Sequence, residues 1–309
     1  MIRRFWFLLI TCSTIIILSR HLASSWTLRP FVSSSSSSVR LRHCVLSLDN
    51  HSDKMTSAAT ESISSSDNNS NNNPLSQWGL PQPLLLGSAS FTRKLILKEM
   101  NVPFVKLVRP IDEKALGDRS KNASPQELVL AIAQAKMDHL VRQMESGEIS
   151  REELPSRFNT NNSDGDDDDD DEWILLTGDQ VVTCDGHILE KPQSIEEAIQ
   201  FVERYPMHPP STVGSCVLHH YPSGIRVSGV DRATIYFQTS LQASTLVQTL
   251  VDQGEPVLSC AGGLMVEHPL VQEHLDRIDG TQDSVMGLSK RLVLELLQEM
   301  AEKLKQKQT

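Results

Sequence analysis

Four short stretches and one lysine carry side chains whose types and spacing could do chemistry. The first stretch is Gly87-Ser88-Ala89-Ser90, followed by Arg93 and Lys94. The apolar run 84–86 before it reads as a strand and residues 91–100 after it as a helix. The small-residue turn therefore sits at a helix N-terminus, where unpaired backbone N–H groups and a partial positive charge face outward. An anion can approach small side chains closely, the hydroxyls add donors, and a guanidinium forks onto phosphate oxygens. The same residues also suit an ordinary cap at Ser90 beside surface cations. The second stretch, residues 173–186, places one acid, Asp179, where an apolar strand breaks at Gly178 before apolar residues resume. A carboxylate there costs free energy unless a metal or a lysine offsets it; a structural role also fits. The third, Ile111-Asp112-Glu113-Lys114, follows a strand directly, and the fourth holds Lys191 just before Pro192. Lys136 lies mid-helix between Ala135 and Met137. Each lysine alone reads as solvated. Together the acids could hold a divalent ion, the cations could hold phosphates, and one acid could activate water. The Walker A pattern is absent.

The elements that must position these groups alternate between strand and helix. Residues 84–86 and 104–108 read as strands, with the helix 91–100 between them. Ser124-Pro125-Gln126-Glu127 is a capping box with proline at the first helical position, opening a helix towards Met144 with Leu128, Ile132, Ala135 and Leu140 on one face. Residues 173–176 and 181–183 read as strands, Asp185-Gly186 as a hairpin turn, and Ser194 to Glu197 as a second capping box. Residues 213–219 and 225–237 read as paired strands, followed by helices from Leu241 and from about Leu288. This order predicts an α/β fold of mixed sheet.

Composition narrows the function. Of 309 residues, 29 are Lys or Arg and 39 Asp or Glu, a net charge of −10. A broad basic face for a nucleic-acid polymer is therefore not expected. Much of the excess lies in the acidic run 164–172, read as a solvated loop rather than a cation site because self-repelling acids lack a rigid cage. The five cysteines form no CxxC pair and read as buried, reduced hydrophobes. His219-His220 would point to opposite faces of a strand and read as structural or surface residues. The stripe Leu292, Leu296, Met300, Leu304 reads as core or dimer contact, and no stable membrane association is expected.

The N-terminus reads as address rather than fold. Met1-Ile2-Arg3-Arg4 precedes an apolar run, 5–18, of signal-peptide length; Ala23-Ser24-Ser25-Trp26 follows; residues 26–48 are rich in Ser and Arg and free of acids. Residues 1–48 thus resemble a bipartite leader for a secondary plastid. A plain secretory signal, a signal anchor or an unused extension also fits, leaving cytoplasm or mitochondrion as alternatives. Residues 49–80, rich in Ser and Asn, read as a disordered linker, residues 81–300 as the folded domain with a polar insertion at 146–172, and 301–309 as a flexible tail.

The order of motifs resembles the Maf family of nucleoside triphosphate pyrophosphatases, related in fold to the inosine-triphosphate pyrophosphatases. The likeness rests on GSASFTRK, IDEK, LAIAQAK, TGDQVV with EKP, CAGGLMVEHP and DSVMGLSK, in that order between Leu84 and Leu297. It implies two lobes around a central cleft, usually a homodimer, and hydrolysis between the α and β phosphates with Mg²⁺ or Mn²⁺. It implies Asp179 and Glu113 as the catalytic and metal-facing acids. Ser88, Ser90, Arg93, Lys136 and Lys191 match the groups that hold the triphosphate. Base choice falls to Thr92, Gln180 and Glu267. Gln180 and Glu267 match the 7-methyl-GTP type, and Thr92 matches neither that type nor the dTTP/UTP type. The chain departs from the family at Phe91, where proline is usual, and at Ser289 after Gly287-Leu288. A non-catalytic nucleotide-binding regulator, related to septum formation or division, is the alternative.

Overall fold

The computed structural model describes residues 73–155 and 172–308. The leader, the linker up to residue 72 and the acidic run to Asp171 lie outside the described residues. The fold begins earlier than expected. Helix α1 (Pro74–Trp78) is capped by Asn73, whose side chain accepts from the Leu75 N–H at 3.0 Å, with Pro74 in the first turn. Leu75 is fully buried and Leu80 nearly so. A polar surrounding sequence hid two anchoring leucines.

Strand β1 (Leu84–Leu86) lies parallel to both β2 (Phe104–Lys106) and β3 (Trp173–Thr177). All other pairings are antiparallel: β4 (Gln180–Cys184) with β5 (His187–Leu189), both long strands β6 (Ser211–Tyr221) and β7 (Arg226–Phe237) with each other, and β7 with β8 (Leu275–Asp279). The decisive strand is β6. Its second half pairs with β3 and its first half with β4, both antiparallel. Hence β3 and β4 run in succession along one edge of β6, interrupted only by Gly178-Asp179.

Strand alternation divides the core. Leu84, Leu86, Ile174, Leu176 and Leu218 pack with Leu75, with Ile96 and Leu97 of α2 (Phe91–Glu99), and with α8 (Lys290–Gln308). Leu85, Leu175 and Val217 pack with Ala133, Met137 and Leu140 of α3 (Pro125–Glu145). Covered on both faces, β1 is apolar throughout and β3 is apolar up to its last residue, Thr177, as buried strands are. A further apolar cluster joins β4 and β5 to α4 (Ile195–Val202) and α5 (Ala243–Asp252).

Several local expectations change here. Leu292, Leu296 and Met300 are core, and the helix continues to Gln308 rather than ending in a loose tail at 301; Ala301 is itself buried. The insertion at 146–172 starts packed: Ile149 is buried, and Ser150 and Glu153 form a reciprocal cap on a short 3-10 turn. Short β8, α6 (Pro269–Gln272) and α7 (Gln282–Met286) add to the expected elements. They are too brief to show a period, and α6 and α7 are set by caps from His268 and Thr281. Asp185 and Gly186 both take positive φ, 50° and 70°, as a tight hairpin requires. His219 and His220 are both buried: Arg226 donates to His219, and the His220 ring meets Ser223 Oγ at 2.9 Å. Burial pulls His219 down to about 4. Among the described residues no helix is long and apolar enough to cross a membrane.

Candidate active site

The break between β3 and β4 is built by two small residues. A Cβ on Gly178 would lie 2.5 Å from the Ser215 carbonyl oxygen of β6, so a side chain cannot be accommodated there. Opposite the break, Ser215 Oγ accepts from the Asp179 N–H at 3.2 Å and donates to Val129 O of α3 at 2.8 Å. The Ser215 N–H donates to Asp179 O at 2.9 Å. Sequence reading passed over Ser215, because one serine in an apolar strand gives no sign of its partner.

Asp179 is held at 8% exposure. Its Oδ1 accepts from Lys136 Nζ at 2.9 Å, and the same Nζ lies 2.9 Å from Glu113 Oε1. Three residues from a strand break, a helix and a 3-10 turn (Glu113–Ala115) thus meet at one ammonium. Burial pushes the Asp179 carboxyl up from its ordinary range, and Lys136 and Arg93 oppose this without cancelling it. The Glu113 turn is steadied by Arg119, another residue without a sequence signal. Its guanidinium donates to the Glu113 and Leu116 carbonyls and pairs with Glu190 Oε2 at 3.2 Å.

The serine turn meets this group through Arg93. Ser90 caps α2, accepting from the Arg93 N–H at 3.3 Å, and its hydroxyl contacts Thr92 Oγ1 at 2.9 Å. Ser88 Oγ accepts from the Ser90 N–H at 3.3 Å. Arg93 is 7% exposed. It donates through Nη1 to Ser88 Oγ (3.1 Å) and to Gly178 O (2.9 Å), and through Nε to Gly287 O (3.0 Å). The fork expected for a phosphate is thus largely occupied by the protein, tying together three motifs; Nη2 takes no part in these bonds. Burial lowers the guanidinium from its ordinary value, with Asp179 opposing.

Gln180 turns towards α7. Its Nε2 donates to Val285 O at 3.1 Å, and its Oε1 fills the space beside Gly287, where a Cβ would come within 1.8 Å. Lys191 and Glu267 are exposed and belong to a second grouping. The Gly262 N–H donates to Glu190 O at 3.1 Å, bringing the loop after β5 against the Cys260-Ala261-Gly262-Gly263 turn. Burial lifts the Cys260 thiol to about 11, with Glu267 raising it further and Lys191 opposing. The structure therefore brings Ser88, Ser90, Arg93, Glu113, Lys136 and Asp179 into one linked cluster. Lys191 and Glu267 both act electrostatically on Cys260, and no hydrogen bond or ion pair joins either of them to Asp179 among the described residues.

A family model described as Maf-like protein matches residues 83–300. The chain is 30% identical over 221 residues, 72% of its length, to a 7-methyl-GTP pyrophosphatase of Dictyostelium discoideum, covering 98% of that protein. It is 28% identical to a nucleoside triphosphate pyrophosphatase of Corynebacterium aurimucosum over 67% of this chain and 88% of that protein. A dTTP/UTP pyrophosphatase of Salinibacter ruber is 26% identical over 71% of this chain and 90% of its own. With a match spanning both the acid–lysine cluster and the turns that frame it, the chain belongs to the Maf family.

Proposed function

We propose that this chain is an enzyme, a nucleoside triphosphate pyrophosphatase. It hydrolyses the link between the α and β phosphates, giving a nucleoside monophosphate and pyrophosphate. The observation that carries the reading is the pairing of buried Asp179 with half-exposed Glu113 through Lys136 in a Maf-family chain. Water attacks the α phosphorus, the bond to the α,β-bridging oxygen breaks, and pyrophosphate leaves with that electron pair. Asp179 takes the proton from the water; its raised carboxyl suits a base working nearer neutrality. Lys136, Lys191, the serine hydroxyls and the remaining Arg93 nitrogen hold phosphate oxygens.

A divalent cation, Mg²⁺ or Mn²⁺, belongs to the same reading. The donor set fits: two carboxylate oxygens already converge on one cationic atom, and hard cations take such ligands. Among the described residues no group of three or more His, Cys, Asp or Glu could hold a metal unaided. In this reading substrate phosphates and water would complete the coordination, as at other magnesium-type sites. Bound there, the cation neutralises charge gathering on the phosphates.

For the base we favour a modified guanine. The name of the Dictyostelium relative supports this, and a Glu267 carboxylate would accept from a guanine N1–H and N2–H₂ edge or favour a cationic methylated ring. The test is pyrophosphate release by the full chain with Mg²⁺ or Mn²⁺ and 7-methyl-GTP, dTTP, UTP or ITP. Preference for 7-methyl-GTP supports both parts; preference for dTTP or UTP keeps the enzyme and discards the base. Nucleotide binding without release under either ion would favour the regulatory alternative. We propose further that the enzyme is a homodimer, to be checked by light scattering, and that residues 1–48 direct it to a secondary plastid. A fusion of residues 1–80 to a fluorescent reporter that stays outside plastids would refute the second point.

A further inference from the structure

Lys136 cannot serve the carboxylates and a metal at the same time. Its Nζ sits 2.9 Å from both Glu113 Oε1 and Asp179 Oδ1, with 15% of its side chain exposed against 12% for Asp179. A divalent cation held by those two oxygens would compete with the ammonium for the same acceptor atoms. The local charges balance as they stand: Glu113 and Asp179 against Lys136 and Arg93, the last being buried and electrostatically coupled to both acids. A bare divalent ion added to this group leaves excess positive charge beside buried Asp179 and Arg93, while only Glu113, half-exposed, faces water, and that is costly on the buried side. A metal–triphosphate complex carries its own negative charge and offers Lys136 a new anionic partner.

We propose that Lys136 is an internal counter-ion that closes the two-carboxylate site to free divalent metal and moves from the carboxylates to the phosphates when a metal–nucleotide complex enters. Metal affinity is then low in the absence of nucleotide. The identity of the nucleotide rests on the pyrophosphatase reading; the exclusion of free metal by Lys136 does not.

The test measures Mn²⁺ binding to the full chain without turnover, from the electron paramagnetic resonance signal of free aqueous Mn²⁺. Wild type, Lys136→Met and the double variant Lys136→Met/Asp179→Asn are compared, each checked for folding by circular dichroism. The expected result is that Lys136→Met gains one site per chain, at least about tenfold tighter than in wild type, and that the double variant loses it. Weak binding by the 164–172 run is common to all three proteins and drops out of the difference. Wild type should gain the same site when α,β-methylene-GTP, which cannot be cleaved there, is present. Equal or weaker Mn²⁺ binding by Lys136→Met overturns the proposal, as does a gain that survives Asp179→Asn. Should Lys136→Met fail to fold, Lys136→Gln provides the same comparison. A gained site in a chain that releases no pyrophosphate from any triphosphate would uphold the counter-ion and reject the pyrophosphatase reading.

Discussion

Asp179 combines burial with a single lysine contact on Oδ1, and that balance sets its chemistry. Because burial raises its pKa, the carboxyl picks up a proton at higher pH than an exposed aspartate does. The base form is the active one, so kcat/KM should fall as pH drops through a value above the ordinary carboxylate range. An acid limb at the ordinary aspartate position would assign the proton transfer elsewhere. Asp179→Asn keeps the shape of the side chain and removes the base. We expect turnover to fall about 10²–10⁴-fold with the unfolding transition retained.

At the scale of elements, the site depends on how α7 closes against β4. Gly287 ends α7 at φ 103°, accepts from Arg93 through its carbonyl, and leaves room for Gln180 Oε1. An alanine there would be strained by its backbone and would strike the Gln180 amide. Gly287→Ala should cost about 1–3 kcal/mol, read as a lower Tm. It should also alter the ratio of kcat/KM between 7-methyl-GTP and dTTP, because Gln180 must move. A lower Tm with an unchanged ratio would show that Gln180 does not influence base choice from this position.

At the scale of the molecule, stability reaches back beyond the first strand. Leu75 and Leu80 pack in the same core as α2 and α8, and a fully buried leucine contributes about 1.5–3 kcal/mol. A chain of residues 81–309 should therefore melt below one of residues 73–309, while both retain the acid–lysine cluster. Equal melting temperatures would mean that α1 is an appendage.

Local chemistry made much of this protein legible in its sequence. Ser90, Ser124 and Ser194 cap the helices expected of them, Asp185-Gly186 turns the expected hairpin, and the apolar runs 84–86 and 173–176 lie in the buried strands. These signals act over three or four residues, so the sequence alone determines them. The spaced motifs likewise marked Asp179, Glu113 and Lys136 before any geometry was known. Tertiary structure decided the partners. Arg93 reaches carbonyls 85 and 194 residues away, and Lys136 reaches Asp179 across 43 residues. Such contacts exist because β6 pairs with β3 and β4 in succession, opening a break that Ser215 and Arg93 then fasten. A register between distant strands is fixed by packing of the whole core, and no local pattern at Ser215, Arg119 or Gly287 records it.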